Sequence, residues 1–240
     1  AQKKYSPIEF VAVNGLFINR MNVKEAKTIV DYLLNKISPI ESVGIATFSQ
    51  TQQNLILDMI LKQTHTNHRF KAKINNLKKK GFFVKNIENI QGEERNIMLI
   101  STTYGSNKAG KFNQFFGSLN SKNKGHKLLN VVVTRAIKNM VVFSSVPEQY
   151  FESYHNHIKL NGVIGKGVFY AFISYAKAVS EKNVQKKKQI LDNLYESSST
   201  NQAMKNFKKE DLIDFTKYLT KHLDEKSNSQ FKWVNHYKLG

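Results

Sequence analysis

Short apolar runs alternate along this chain with stretches whose apolar residues recur at helical spacing, and that alternation admits few folds. Phe10 to Ile18 reads as a strand, Val43 to Phe48 as a short buried one, Phe82-Phe83-Val84 as the opening of another, Ile97 to Thr102 as a central one, and Met140 to Phe143 as a last. Between them, Asn22 to Ile37 reads as a helix with Ala26, Ile29, Val30, Leu33 and Leu34 on one face. Asn22 is its N-cap, and Glu25 completes a capping-box-like start. Gln50 to Leu61, the basic stretch Lys71 to Lys80, and Lys127 to Ile137 also read as helices. Strands alternating with helices imply an α/β fold, a mostly parallel sheet covered on both faces.

Beyond about residue 145 the pattern becomes helical. Gly165 to Val179 and Val184 to Tyr195 read as helices, Ser197 to Asn201 as a polar break, and Leu212, Phe215, Leu219 and Leu223 again sit at helical spacing. The expected organisation is an α/β domain over 1–146 and a helical extension over 147–240, its end loosely ordered. Residues 104–126, rich in Gly, Asn, Ser and Lys, are too many for a simple connection, and such loops tend to be functional or mobile.

Lys and Arg number 37 against 18 Asp and Glu, a formal net charge of +19. Such a surface is drawn to polyanions, nucleic acid first among them, because binding releases counterions from phosphates. The absence of cysteine excludes disulfides and thiolate metal sites. No apolar run approaches the ~18 residues of a membrane span, and the first residues lack the apolar stretch of a signal peptide. A cytoplasmic protein without membrane contact is expected. The chain starts without Met close to a strand-like run, which reads either as a fragment boundary or as removal of Met before Ala1.

Two segments carry the chemistry. One is Asn86-Ile87-Glu88-Asn89-Ile90-Gln91-Gly92-Glu93-Glu94-Arg95-Asn96; the other is Leu128-Leu129-Asn130-Val131-Val132-Val133-Thr134-Arg135-Ala136. Gly92 permits close backbone approach to a ligand, and a planar guanidinium such as that of Arg135 matches phosphate as a lysine does not. The two segments resemble motifs V and VI of superfamily 1 helicases, and Val43 to Gln52 resembles motif IV. The likeness covers roughly residues 10–190 and is greatest to a bacterial, multidomain branch. It departs at Asn96, where close relatives have Asp, and at Gln50, where a basic residue is common.

The resemblance implies the second RecA-like domain, of P-loop NTPase type, of an ATP-driven motor on single-stranded DNA or RNA. It implies Arg135 as a catalytic arginine finger, with Gln52, Gly92 and Glu94 beside it at the nucleotide. Thr47, Lys85, Asn86, Ser101, Thr102 and Thr134 would face nucleic acid. ATP with Mg2+ would be held mainly by a first RecA-like domain of the same protein, absent from this sequence. The alternative is a stand-alone basic nucleic-acid-binding module on the same scaffold.

Two other features are weaker. Gly105 to Lys111 fits the first seven positions of a P-loop, but Phe112 follows where Ser or Thr would hold magnesium, and no helix follows. Lys108, Lys111, Lys122, Lys124 and Lys127 could instead track a phosphate backbone. His155 and His157 lack further metal ligands at useful spacing and read as solvated. Glu210, Asp211 and Asp214 read as the acidic start of a helix, and Trp233 as a packing or tail residue.

Overall fold

The computed structural model describes residues 7–121, 124–161 and 165–200. Five strands form a sheet: β1 Ile8–Ala12, β2 Val43–Thr47, β3 Phe83–Asn86, β4 Arg95–Gly105 and β5 Ala136–Ser145. Their order is β1-β5-β4-β2-β3, and every pairing is parallel. The helices are α1 Val23–Asn35, α2 Gln50–Thr66, α3 His68–Lys78, α4 Gly125–Val133, α5 Glu148–Phe151, α6 Tyr154–Asn161, α7 Gly165–Ser180 and α8 Val184–Thr200. This is the expected α/β, RecA-like arrangement, with C-terminal helices beyond the last strand. Among the described residues no helix is long and apolar enough to cross a membrane.

Period-two alternation divides the core into two layers. Val43, Ile45, Ile97, Leu99, Val141 and Phe143 face α1, α2 and α3. Ala46, Met98, Ile100, Met140 and Val142 face α4 to α8. Gly44 is required by the second layer, since a Cβ there would lie 2.4 Å from the Phe83 ring and 2.7 Å from the Met98 sulfur. Helix α7 is almost wholly buried and shares its apolar cluster with the sheet, so the C-terminal helices pack on the α/β core itself.

Several boundaries differ from the sequence reading. The first strand ends at Ala12; after it, Ile18 and Met21 pair across a tight turn. Helix α4 stops at Val133, because the Arg95 amide donates to the Arg135 carbonyl at 3.0 Å and parallel pairing with β4 claims Ala136 and Ile137 for β5. Ser197 to Thr200, read as a break, continue α8, whose buried Ile190 and Leu194 hold it on the core. Helices α5 and α6 carry no periodicity long enough to be read in advance. Leu212, Phe215, Leu219, Leu223, Glu210, Asp211, Asp214, Trp233 and Lys122 lie outside the described residues.

The 104–126 segment is less of a loop than expected. Strand β4 runs to Gly105, Ser106 bridges to Phe112, and Gly117–Asn120 form a 3₁₀ turn. Phe112, Phe116 and Leu119 are buried. The Phe116 ring meets Tyr104 at 4.8 Å, Phe169 at 4.9 Å and Tyr170 at 5.6 Å. Aromatic packing on α7 therefore replaces regular secondary structure in fixing this segment.

Candidate functional site

In an all-parallel sheet every strand starts at one edge and ends at the other, and the polar residues of interest divide between those edges. At the amino edge, the starts of β4 and β5 bring Gly92, Glu93 and Glu94 beside Thr134 and Arg135. The Arg135 guanidinium folds over the end of α4. Its Nε donates to the Val131 carbonyl at 3.0 Å and to Thr134 Oγ1 at 3.1 Å, and its Nη2 donates to Thr134 Oγ1 at 2.7 Å. Nη1 reaches the Glu93 carbonyl at 3.4 Å and lies 3.9 Å from Glu94 Oε1. A guanidinium has five N–H groups, so both Nη atoms keep a donor for a ligand. The Thr134 hydroxyl in turn donates to the Val131 carbonyl at 3.0 Å, which fixes it as the rest on which the arginine lies.

Glu93, one residue before Glu94, has a different role. It accepts Lys85 at 2.7 Å and Arg95 at 2.9 Å. The hydrogen bond from Lys85, with the charges of Lys85 and Arg95, lowers its pKa. Arg95 stacks 4.8 Å from the centre of the Phe83 ring and donates to the Gly81 carbonyl. The Lys85 ammonium thus reaches back toward the amino edge and is engaged there. Gly92 takes φ +82°, and a Cβ on it would meet nothing within 4 Å. The backbone at Gly92 is therefore open to approach beside a partly free guanidinium.

The carboxyl edge carries a buried polar network. The connection after β2 covers one face of the sheet and the connection after β4 covers the other, so the gap between their ends is a topological switch point, where open α/β sheets bind ligands. Gln52 lies there, fully buried and away from the Arg135 group. Its Oε1 accepts the Asn22 amide at 2.8 Å, and its Nε2 donates to the Asn22 carbonyl at 3.1 Å and to Ser101 Oγ at 3.2 Å. Thr47, Ser101 and Thr102 are also fully buried. Thr47 donates to the Ser49 carbonyl, Ser101 to Glu25 at 2.7 Å, and Thr102 to Ser144 at 3.0 Å. Asn86 is held by its amide, which donates to Gln53 Oε1 at 2.6 Å.

Glu25 is the centre of this network, although its spacing from Asn22 marks it in the sequence as a capping residue. Asn22 does cap α1 by accepting the Glu25 amide at 3.0 Å, but the Glu25 carboxylate turns inward instead of back. Its Oε1 accepts Ser101 Oγ and the Thr103 amide, both at 2.7 Å, and its Oε2 accepts Ser145 Oγ at 3.1 Å. Burial pushes its pKa up to about 7, against the opposing pull of those donors. Thr103 meets the carboxylate from a left-handed backbone, φ +70°, at a register shift between β4 and β5. The signal was present in the sequence: Glu25 falls on the stripe of Ala26, Ile29 and Leu33, where a charge must be buried.

The Gly105 to Lys111 stretch has no phosphate-cradling shape. The Asn107 side chain accepts the amides of Ala109 and Lys111, each at 3.0 Å, closing a turn that no helix follows. His157 is packed against the Tyr170 ring at 5.3 Å rather than solvated, and burial lowers its pKa. Among the described residues no group of His, Asp and Glu could hold a metal ion.

Comparison with known proteins adds two findings. Residues 6–146 match the AAA domain family. The chain is also 33% identical over 138 residues to a Mycoplasma pneumoniae protein named uncharacterized ATP-dependent helicase MG140 homolog, and 31% identical over 138 residues to the Mycoplasma genitalium protein named uncharacterized ATP-dependent helicase MG140. Each alignment covers 55% of this chain and 12% of the relative, so the chain spans a small part of the proteins it resembles.

Proposed function

Because the chain belongs to the AAA domain family, we propose that it is the C-terminal, second RecA-like half of an ATP-dependent superfamily 1 helicase. The observation that carries this is the amino-edge group, in which Thr134 and the Glu93 carbonyl hold Arg135 with Nη donors to spare beside the open backbone of Gly92. The relatives' names, which include ATP-dependent helicase, support the same reading.

The residues present fit one side of a nucleotide. Arg135 would neutralise phosphate charge, Gly92 would let the nucleotide approach the backbone, and Glu94 would steady the guanidinium. Among the described residues no group of His, Asp and Glu could hold Mg2+, and we assign the phosphate-cradling side to a first RecA-like domain. Bound ATP would supply the free energy of phosphoanhydride cleavage. Single-stranded DNA or RNA is assigned to the carboxyl edge, close to Thr47, Asn86, Ser101 and Thr102. The buried hydroxyls there shape the edge from beneath. Gln52 belongs to this edge as well, while Lys85 and Thr134 support the nucleotide side.

ATP hydrolysis by the chain, measured with and without single strands, tests the reading together with fluorescence-anisotropy binding. Single-strand binding without turnover is expected. Magnesium-dependent turnover that is lost on Lys111→Ala would overturn it and make the chain a complete enzyme. In the longer protein, Arg135→Ala should lower ATP turnover by about 10³–10⁵ while single-strand binding persists, and Arg135→Lys should not restore it.

A further inference from the structure

The segment between β1 and α1 makes a two-residue turn at the carboxyl edge. Ile18 and Met21 exchange both backbone hydrogen bonds, at 2.9 and 3.0 Å, and the residues between them are left-handed, Asn19 at φ +52° and Arg20 at φ +63°. Both positive φ values give the geometry in which glycine is favoured at the second position. Asparagine tolerates it; arginine does not favour it. Strained backbone persists only where its surroundings enforce it, and it gathers at functional sites.

The surroundings here enforce it from three sides. Ser49 Oγ donates to the Arg20 carbonyl at 2.7 Å and at the same time caps α2 by accepting the Gln52 amide. The Gln52 side chain grips both backbone groups of Asn22, next along the chain. On the other arm, the Phe17 amide donates to the Ser106 carbonyl at 2.9 Å, and the Phe17 ring packs 5.3 Å from Tyr104. All this holds in place a residue whose side chain is exposed and makes no ion pair among the described residues. The amino end of α2 lies beside the turn with no acid in its first turn, which adds to the positive potential. Burial raises the pKa of the Tyr104 hydroxyl; the Arg20 charge opposes that rise and the Glu88 charge adds to it.

We propose that the Ile18–Met21 turn presents Arg20 to a backbone phosphate of a single-stranded nucleic acid lying across the carboxyl edge. The proposal rests on the helicase reading above, which assigns single strands to that edge. A rigid arginine positions the strand through its phosphates and carries no sequence preference.

Arg20→Gly removes the charge and relieves the backbone, so loss of binding cannot be ascribed to loss of fold. It is tested by fluorescence anisotropy with unstructured DNA and RNA oligonucleotides over a range of salt. The variant should melt no lower than the parent, bind at least one of the two strands several-fold more weakly, and lose about 0.7 from the slope of log K against log salt. The strand that shows the loss is the ligand. An exposed lysine on α3 is the comparison: Lys71→Ala should bind as the parent does. Parent-like affinity and slope for Arg20→Gly, or an equal loss for Lys71→Ala, would overturn this proposal and leave the helicase reading standing. A parent chain that binds neither strand would sink both.

Discussion

At the scale of single residues, Glu25 makes the sharpest prediction. Its folded pKa, about 7, stands above the ordinary value of 4.5. Below pH 4.5 both folded and unfolded chains hold the proton, and the contribution is whole. As pH rises toward 7 the unfolded chain releases the proton first, so stability falls, and above the folded pKa the loss is complete. The total is on the order of 3 kcal/mol. Thermal melts of Glu25→Gln against the parent should therefore diverge between pH 4.5 and 7, with the parent losing ground, and run parallel above pH 8. Parallel curves throughout would mean that the carboxyl is ionised in the fold at all those pH values. Glu25 escaped the sequence reading because an acid three residues after an asparagine fits a cap equally well. Only its place on the apolar stripe separates the two roles. Arg135 was legible because its neighbours form a string; that Thr134 would carry its guanidinium was not, since side-chain direction at the end of a helix depends on where the chain goes next.

At the scale of elements, the sheet was legible and its margins were not. Four of the strands coincide with apolar runs because a strand buried on both faces has no polar side to confuse the signal. The α4–β5 boundary was misplaced because Ala136 and Ile137 suit either state locally, and the choice is made by pairing with β4. The 104–126 segment reads as a loop on its Gly, Asn, Ser and Lys content, yet Phe112, Phe116 and Leu119 tie it down. Phe169 of α7 is the common floor of that packing, touching Phe48, Tyr104, Phe116 and Tyr170. Phe169→Ala should cost about 3–5 kcal/mol, measured by denaturant unfolding. It should also raise the hydrogen-exchange rates of 106–121 ahead of those of β4. Unchanged protection in that segment would show that the Phe112–Tyr150 contact suffices to hold it.

At the scale of the whole molecule, the surplus of 19 positive charges is structurally permissive, since it neither chooses the fold nor locates a ligand. Location comes from the sheet. Strand β4 begins beside Arg135 and ends in the Glu25 network, and from Arg95 to Ser101 it advances roughly 20 Å at the rise of a strand. The two polar groups are thus the ends of one stiff bar, with no side chain in common. Their energetics should then be separable. The stability changes of Glu25→Gln and Arg135→Ala, combined in one chain, should sum to within about 0.3–0.5 kcal/mol, as measured by denaturant unfolding at one pH. A larger departure would mean that the bar bends, and that altering one end re-sets the register at the other.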